Sequence, residues 1–377
     1  MGQIDEAIEY EKGNLFYLIL KADILHHLGH LSESLEIYFK IINLTNDDVL
    51  KLDSYSGSGF IYMKESRYEK AVDCYEKASI ICEKIFGKDS ALTARSYNNL
   101  GTAYMEKEDY SKAFEYYSKA IIIYERMPEK QLANIGDSYF LISNLFNRMG
   151  EYNNAINYAV NALEIFKKIH TEKCLIIANQ YKNLASIYDN NGNYQKSLEY
   201  YRKGLAICKS LYGGKGSVIA SFYNGMGIVY QDIGNIDSAK ENYYKALVIY
   251  TNSDIQDPHN LALTLFNIGL VYELEGNYKK ALEYNEDALA VFEGVFGKES
   301  LYSAQCYYSN GIIYFDQSNY NMALFYYTKA SNIYEKELVR DNQKTINVRY
   351  NIGLTYHKLG DDIKAKEYGY IVGLKNK

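Results

Sequence analysis

The sequence predicts an all-α chain, a solenoid of stacked antiparallel helix pairs running from residue 1 to residue 377 as a single array. Three observations point there. Gly59, Gly101, Ser143, Ala185, Gly227, Gly269, Gly311 and Gly353 stand 42 residues apart without a slip, and a strict period of that length marks stacked copies of one structural unit. Each is followed three residues later by an aromatic: Tyr62, Tyr104, Phe146, Tyr188, Tyr230, Tyr272, Tyr314 and Tyr356. Within a copy, the small and apolar residues fall on helical spacing twice, with a break between.

Numbering each copy so that its small residue is position 8, the copy around Gly101 has Tyr97 at 4, Leu100 at 7, Tyr104 at 11, Tyr110 at 17, Ala113 at 20, Tyr117 at 24 and Ala120 at 27. Positions 4 to 11 form a first helix and positions 17 to 27 a second. The break falls at position 15, which reads Ser66, Glu108, Gly150, Gly192, Gly234, Gly276, Ser318 and Gly360. Glycine there tolerates the left-handed conformation that closes a helix. Small residues at 8 and 20, such as Gly101 with Ala113 and Gly311 with Ala323, let the paired helices approach closely, and the Tyr at 11 is expected to fill the space beside them.

From the start of the chain, Gly2, Ile4, Ala7 and Tyr10 match positions 15, 17, 20 and 23. Residues 1–14 therefore read as a partial repeat, the second helix alone. Residues 15–50 read as a divergent copy around Ala22, and 51–377 as eight regular copies of which the last is atypical. Between copies a second phrase recurs, Phe86-Gly87-Lys88-Asp89-Ser90 and Phe296-Gly297-Lys298-Glu299-Ser300, with Tyr212-Gly213-Gly214 in phase. Glycine stops the second helix there, and a Ser, Asp or Glu nearby can satisfy the first amides of the next. Pro128 and Pro258, the two prolines, fall in the same connectors. At the far end Gly369 and Val372 occupy positions 24 and 27, and Ile371, Val372 and Leu374 follow without a polar capping helix. Terminal repeats need a wet outer face, so the chain is expected to be part of, or to dock against, something larger.

Hydrophobic residues at 47% and charged residues at 23% fit a folded protein, and Tyr at 42 against Trp at 0 is the one oddity. A net charge of −6 and a pI near 5.7, with Lys and Arg spread through the repeats, exclude nucleic acid as a natural partner. No apolar run approaches the roughly 20 residues needed to span a bilayer. The first ten residues carry Asp5, Glu6 and Glu9 where a secretory signal wants positive charge. No membrane partner and a cytoplasmic location are expected. Cys74, Cys82, Cys174, Cys208 and Cys306 are odd in number and lack Cys-x-x-Cys spacing, which reads as buried apolar thiols in a reducing compartment.

The order small at 8, Tyr at 11, Ala at 20, aromatic at 24 and Ala at 27 resembles the tetratricopeptide repeat across almost the whole chain. The extra eight residues of each copy lie after position 27, about two helical turns. The stretch Glu83-Lys84-Ile85-Phe86-Gly87-Lys88-Asp89-Ser90 followed by Tyr97-Asn98-Asn99-Leu100-Gly101 looks like the 42-residue repeats of kinesin light chains and related bacterial scaffolds. It lacks their His-Pro pair after the Asp, and no heptad coiled coil precedes it, so the resemblance reaches the cargo-holding repeat and stops short of motor function. It implies a right-handed superhelix whose first helices line a concave groove, with positions 2, 5, 9 and 12 facing it.

Those columns supply the candidate peptide-binding residues. Asn98, Asn144, Lys182 and Asn224 in the middle copies offer amides and one cation able to pair with an extended backbone. From Phe266 onward the same columns turn apolar, through Leu270, Tyr308, Ile312 and Tyr350, which suits apolar anchors. The implied function is a non-enzymatic scaffold or adaptor holding a peptide or protein segment. An alternative is the peptide-sensing part of a bacterial regulator, resembling peptide-pheromone receptors. The carboxylate-clamp subset of the family needs Lys at 5 with Asn at 9, and here Lys182 is paired with Ser186, so chaperone tails are not favoured.

Catalytic and metal sites are not expected. His26 and His30 have the spacing of a shared metal but no third ligand nearby, and they read as a surface pair. Gly57-Ser58-Gly59 and Gly225-Met226-Gly227 fall on first helices with no strand before them, so phosphate binding is not implied. No cofactor is indicated.

Overall fold

The computed structural model describes residues 2–127, 131–171, 173–214, 216–253, 257–338 and 342–369, with side chains from 14 onward. Among them are eighteen α-helices and no strand. The helices fall into two compact units, residues 1–193 and 194–377. Unit 1 holds α1 (Gly2–His27), α2 (Leu31–Leu44), α3 (Asp48–Lys64), α4 (Tyr68–Phe86), α5 (Ala91–Glu106), α6 (Tyr110–Arg126), α7 (Leu132–Arg148), α8 (Tyr152–Ile169) and α9 (Leu175–Asn190). Unit 2 holds α10 (Tyr194–Tyr212), α11 (Ser217–Asp232), α12 (Ile236–Thr251), α13 (Pro258–Leu274), α14 (Tyr278–Phe296), α15 (Leu301–Asp316), α16 (Tyr320–Glu337), α17 (Gln343–Lys358) and α18 (Asp362–Glu367). From α3 onward odd-numbered helices are the first of each copy and even-numbered ones the second.

Every copy turns in the same way. Position 15 is left-handed in all eight, including Ser66, Glu108 and Ser318, whose φ values of 58°, 66° and 59° side chains rarely adopt. The amide of position 16 returns to the carbonyl of position 11: Asp109 to Tyr104 at 2.9 Å, Asn235 to Tyr230 at 2.8 Å and Asn319 to Tyr314 at 2.8 Å. The amide of 15 returns to 12, so this is a Schellman closure. In five copies position 16 then caps the second helix with its side chain: Asp109, Asn235, Asn277, Asn319 and Asp361 accept from the amide three residues on, whereas Arg67 and Glu151 make no such bond. One residue ends a helix and the next begins its partner, which forces the pair antiparallel.

The connectors between copies follow the sequence too. Gly87 and Gly297 close α4 and α14 at φ 85°, and Ser90 and Ser300 accept from the amides of Thr93 and Ser303 to open α5 and α15. Pro258 sits in the first turn of α13 behind its cap Asp257. Pro128 lies outside the described residues, as do Ile371, Val372 and Leu374.

Inside each pair the packing differs in one respect from expectation. The ring pressed onto the glycine at 8 comes from position 24. Cβ atoms built on Gly59, Gly101, Gly227 and Gly311 would stand 2.8, 2.7, 2.5 and 2.5 Å from ring carbons of Tyr75, Tyr117, Tyr243 and Tyr327. Where position 8 is Ser143, position 24 is Ala159, so the pair exchanges bulk across the interface. The aromatic at 11 instead stacks on the ring at 23: Tyr104 on Tyr116, Phe146 on Tyr158, Tyr272 on Tyr284 and Tyr314 on Tyr326, with centroids 5.4 to 5.7 Å apart and planes within 12° of parallel. Alanines at 20 and 27, such as Ala113, Ala120, Ala281 and Ala288, are wholly buried.

At the N-terminus, α1 is one unbroken helix across residues 14 and 15, which is why Ala22 follows Ala7 so closely. The side chains of Gly2, Ile4, Ala7 and Tyr10 lie outside the described residues.

Candidate functional site

Within each unit, successive first helices touch directly, α5 with α7 and α7 with α9, α11 with α13 and α13 with α15, whereas successive second helices make at most marginal contact. Each unit is therefore tighter on its first-helix side. The second helices occupy the other side.

Polar side chains tie that wall together. In unit 1, the Asn98 amide donates to Ser138 Oγ (2.9 Å), Asn183 to Ser143 Oγ (2.9 Å) and Asn190 to Asn147 Oδ1 (3.0 Å), while Arg148 pairs with Glu106 at 2.9 Å. In unit 2, Asn267 donates to Asn224 Oδ1 (3.4 Å), Ser309 Oγ to Glu273 Oε2 (3.0 Å) and Asn351 to the Tyr308 hydroxyl (2.9 Å). Each bond joins one copy to the next.

The nine residues singled out in the sequence all lie on first helices, with different fates. Asn144 and Lys182 of unit 1, and Asn224, Leu270, Tyr308, Ile312 and Tyr350 of unit 2, are half-buried and keep surface open to a ligand. Asn98 and Phe266 are buried, 8% and 5% exposed. The Asn98 amide is committed to Ser138, and Phe266 packs with Leu265, Phe292 and Cys306. Both hold neighbouring copies together, because position 5 points partly into the seam between first helices. Tyr308 does both jobs: its ring lies 5.7 Å from that of Tyr327 and its hydroxyl accepts from Asn351.

Two columns add to the site. Position 6 supplies the donors Asn183, Asn267 and Asn351 that reach back to the preceding copy. Position 12 supplies Glu273, a half-buried carboxylate whose pKa is pushed up to about 7 by burial and further by the nearby Asp316, against the opposing hydrogen bond from Ser309. Burial also raises Asp53, Asp137, Asp232 and Asp316. Position 12 shares a helical face with 5 and 9, so the period pointed to it.

Among the described residues no group of three or more His, Cys, Asp and Glu side chains could hold a metal. His26 packs edge-on against Phe60, with centroids 5.0 Å apart, and His30 lies 3.4 Å from Glu33. Burial pushes the Cys74 and Cys306 thiols up, to about 11 and about 12, so they are inert at neutral pH. No described helix is long and apolar enough to cross a membrane.

A comparison with curated proteins gives no match. Solved structures with the same fold include a Rap protein complexed with competence and sporulation factor (TM-score 0.59, 14% identity, 95% of this chain and 96% of the other). Aspartyl phosphate phosphatase F from Bacillus subtilis is similar (0.58, 13%, 94% and 92%), as is the apo form of the quorum sensor NprR from B. thuringiensis (0.57, 16%, 88% and 93%). At these identities the likeness is one of fold alone. The model of the family described as tetratricopeptide repeat matches residues 51–126, 134–210, 174–252, 217–294, 260–336 and 302–369. With most of its length so matched, and its helix pairs built and closed alike, the chain belongs to the tetratricopeptide repeat family.

Proposed function

We propose that this protein is a non-enzymatic scaffold that holds a peptide or an extended protein segment against its first-helix walls. The observation that carries the reading is the row of half-buried side chains on a wall whose copies are tied to one another by side-chain hydrogen bonds. Asn144 and Lys182 in unit 1, and Asn224, Leu270, Tyr308, Ile312 and Tyr350 in unit 2, are the contacts in this reading, with Asn98 and Phe266 supporting them from beneath. Half-exposed Leu, Ile and Tyr side chains anchor a partner by area at small entropic cost. Asn and Lys supply backbone-directed hydrogen bonds.

A single array from 1 to 377 and a cytoplasmic setting belong to the same reading. Five thiols without disulfide spacing fit a reducing compartment, and the negative net charge argues against nucleic acid. A peptide-sensing role is the second reading, favoured by the fold shared with the quorum sensor NprR and with a Rap protein complexed with competence and sporulation factor.

The test is affinity capture with mass spectrometry, comparing wild type, Leu270→Asp/Ile312→Asp, and Val248→Asp as a control on an exposed second-helix surface. The reading expects partners common to wild type and control to be lost from the wall variant. Equal recovery by all three would overturn it. A five- to ten-residue peptide that by itself alters small-angle scattering would favour the sensor.

A further inference from the structure

Resting on the peptide-holding reading, we propose that the first-helix wall of unit 2 seats a basic side chain of the bound segment, lysine or arginine, on the carboxylate of Glu273. Glu273 lies on α13 three residues after Leu270, so the two share a helical face. Across the seam on α15 stand Tyr308 and Ile312, both half-buried. An acid is thus set beside apolar side chains of the wall.

The carboxylate is held rather than free. Ser309 Oγ donates to its Oε2 at 3.0 Å, and Ser309 Oγ in turn accepts from Asn285 Nδ2 at 2.9 Å. Asn285 Nδ2 also reaches Asn310 Oδ1 at 3.0 Å. Asn285 and Asn310 are fully buried, yet Asn285 Oδ1 and Asn310 Nδ2 have no partner. Asn285 is the one polar side chain at position 24, where four other copies place a tyrosine over the glycine. A buried polar relay in place of a ring is costly for stability alone. Its product is an acid fixed in place at the seam.

That acid lacks a counter-charge. Every partner in the relay is neutral, and among the described residues no cation pairs with Glu273. The nearest charged influence is Asp316, of the same sign. In unit 1 another first-helix carboxylate, Glu106, one position further along its copy than Glu273, pairs with Arg148 at 2.9 Å. A lysine or arginine from a ligand supplies the opposite charge at Glu273, and its aliphatic stem can lie along Leu270 and Ile312. Charge pairing at a half-buried, preorganised acid selects among ligands more than it adds raw affinity.

The test is selection from a library of short random peptides, flanked by fixed Gly-Ser segments so that no free α-amine competes, on wild-type chain and on Glu273→Gln. The expected result is that wild type enriches peptides with Lys or Arg at one fixed place among apolar residues. Glu273→Gln should still select apolar peptides without that enrichment, and replacing the basic residue of a selected peptide by norleucine should weaken binding by about tenfold to wild type and hardly at all to the variant. Peptides recovered from wild type without a basic preference would overturn the proposal and leave the groove reading standing. Recovery of no peptide by the wild type would overturn both. The wild-type selection decides the matter even if Glu273→Gln folds poorly.

Discussion

The ring of Tyr117 lies over Gly101 so closely that a Cβ built on the glycine would stand 2.7 Å from ring Cε1 and 3.2 Å from the Ala113 carbonyl. Tyr117 is fully buried, and its hydroxyl bonds Thr102 Oγ1 at 3.1 Å, so the ring has little room to swing aside. Gly101→Ala gains about 1 kcal/mol of helix propensity but overpacks the interface at a cost of about 1–3 kcal/mol. The expected outcome is a net loss of stability, read as a lower thermal midpoint. An unchanged or raised midpoint would show that the ring yields.

Glu108 turns the chain with φ at 66°, where glycine stands in five of the eight copies. Glu108→Gly removes the steric cost of a side chain in the left-handed region, about 1 kcal/mol. Higher stability is expected in a urea titration, and Ser66→Gly and Ser318→Gly should act the same way. If all three lower the midpoint, the left-handed turn is not where the strain lies.

Asn98 is buried with its amide on Ser138, 2.9 Å away in the next copy. Asn98→Ala removes this bond between copies and leaves a gap beside Ser138, whose hydroxyl keeps the Asn134 carbonyl at 2.9 Å, at a cost of about 1 kcal/mol. Stability should fall while ligand binding per folded molecule stays as in wild type. A variant of full stability that has lost its ligand would return Asn98 to direct contact.

Glu273 gives stability a definite pH dependence. Its pKa is raised on folding from 4.5 to about 7, so the folded chain binds the proton more tightly than the unfolded chain. The contribution is therefore fully present below the unfolded value and is lost as pH rises through about 7. Asp316, which faces it, and Asp53, Asp137 and Asp232 elsewhere are raised in the same direction by burial. The Glu273 share, on the order of 1 kcal/mol after solvent screening, is isolated by Glu273→Gln. Between pH 5 and pH 8 the wild-type midpoint should fall more than that of the variant. Parallel curves would mean that the carboxylate is well solvated.

What the chain's own text decides is everything that depends on local stereochemistry and on period. The glycines at position 15, the Asp or Asn that follows, and the Gly87 to Ser90 and Gly297 to Ser300 connectors act within a few residues. They fix where each helix ends and the next begins. The alternation of Gly101 with Ala113, and of Gly311 with Ala323, likewise fixes which faces meet. Tertiary structure alone decided which ring fills the gap over each glycine, since Tyr104 and Tyr117 are both aromatics on inward faces. It also turned Asn98 and Phe266 into the seam and left Leu270 and Ile312 half-open, and it left Glu273 without a cation while Glu106 found Arg148. Those outcomes depend on how far one copy is rotated onto the next. A rotation of that kind arises from side chains 40 residues apart in the sequence, and a repeat read one copy at a time does not contain it.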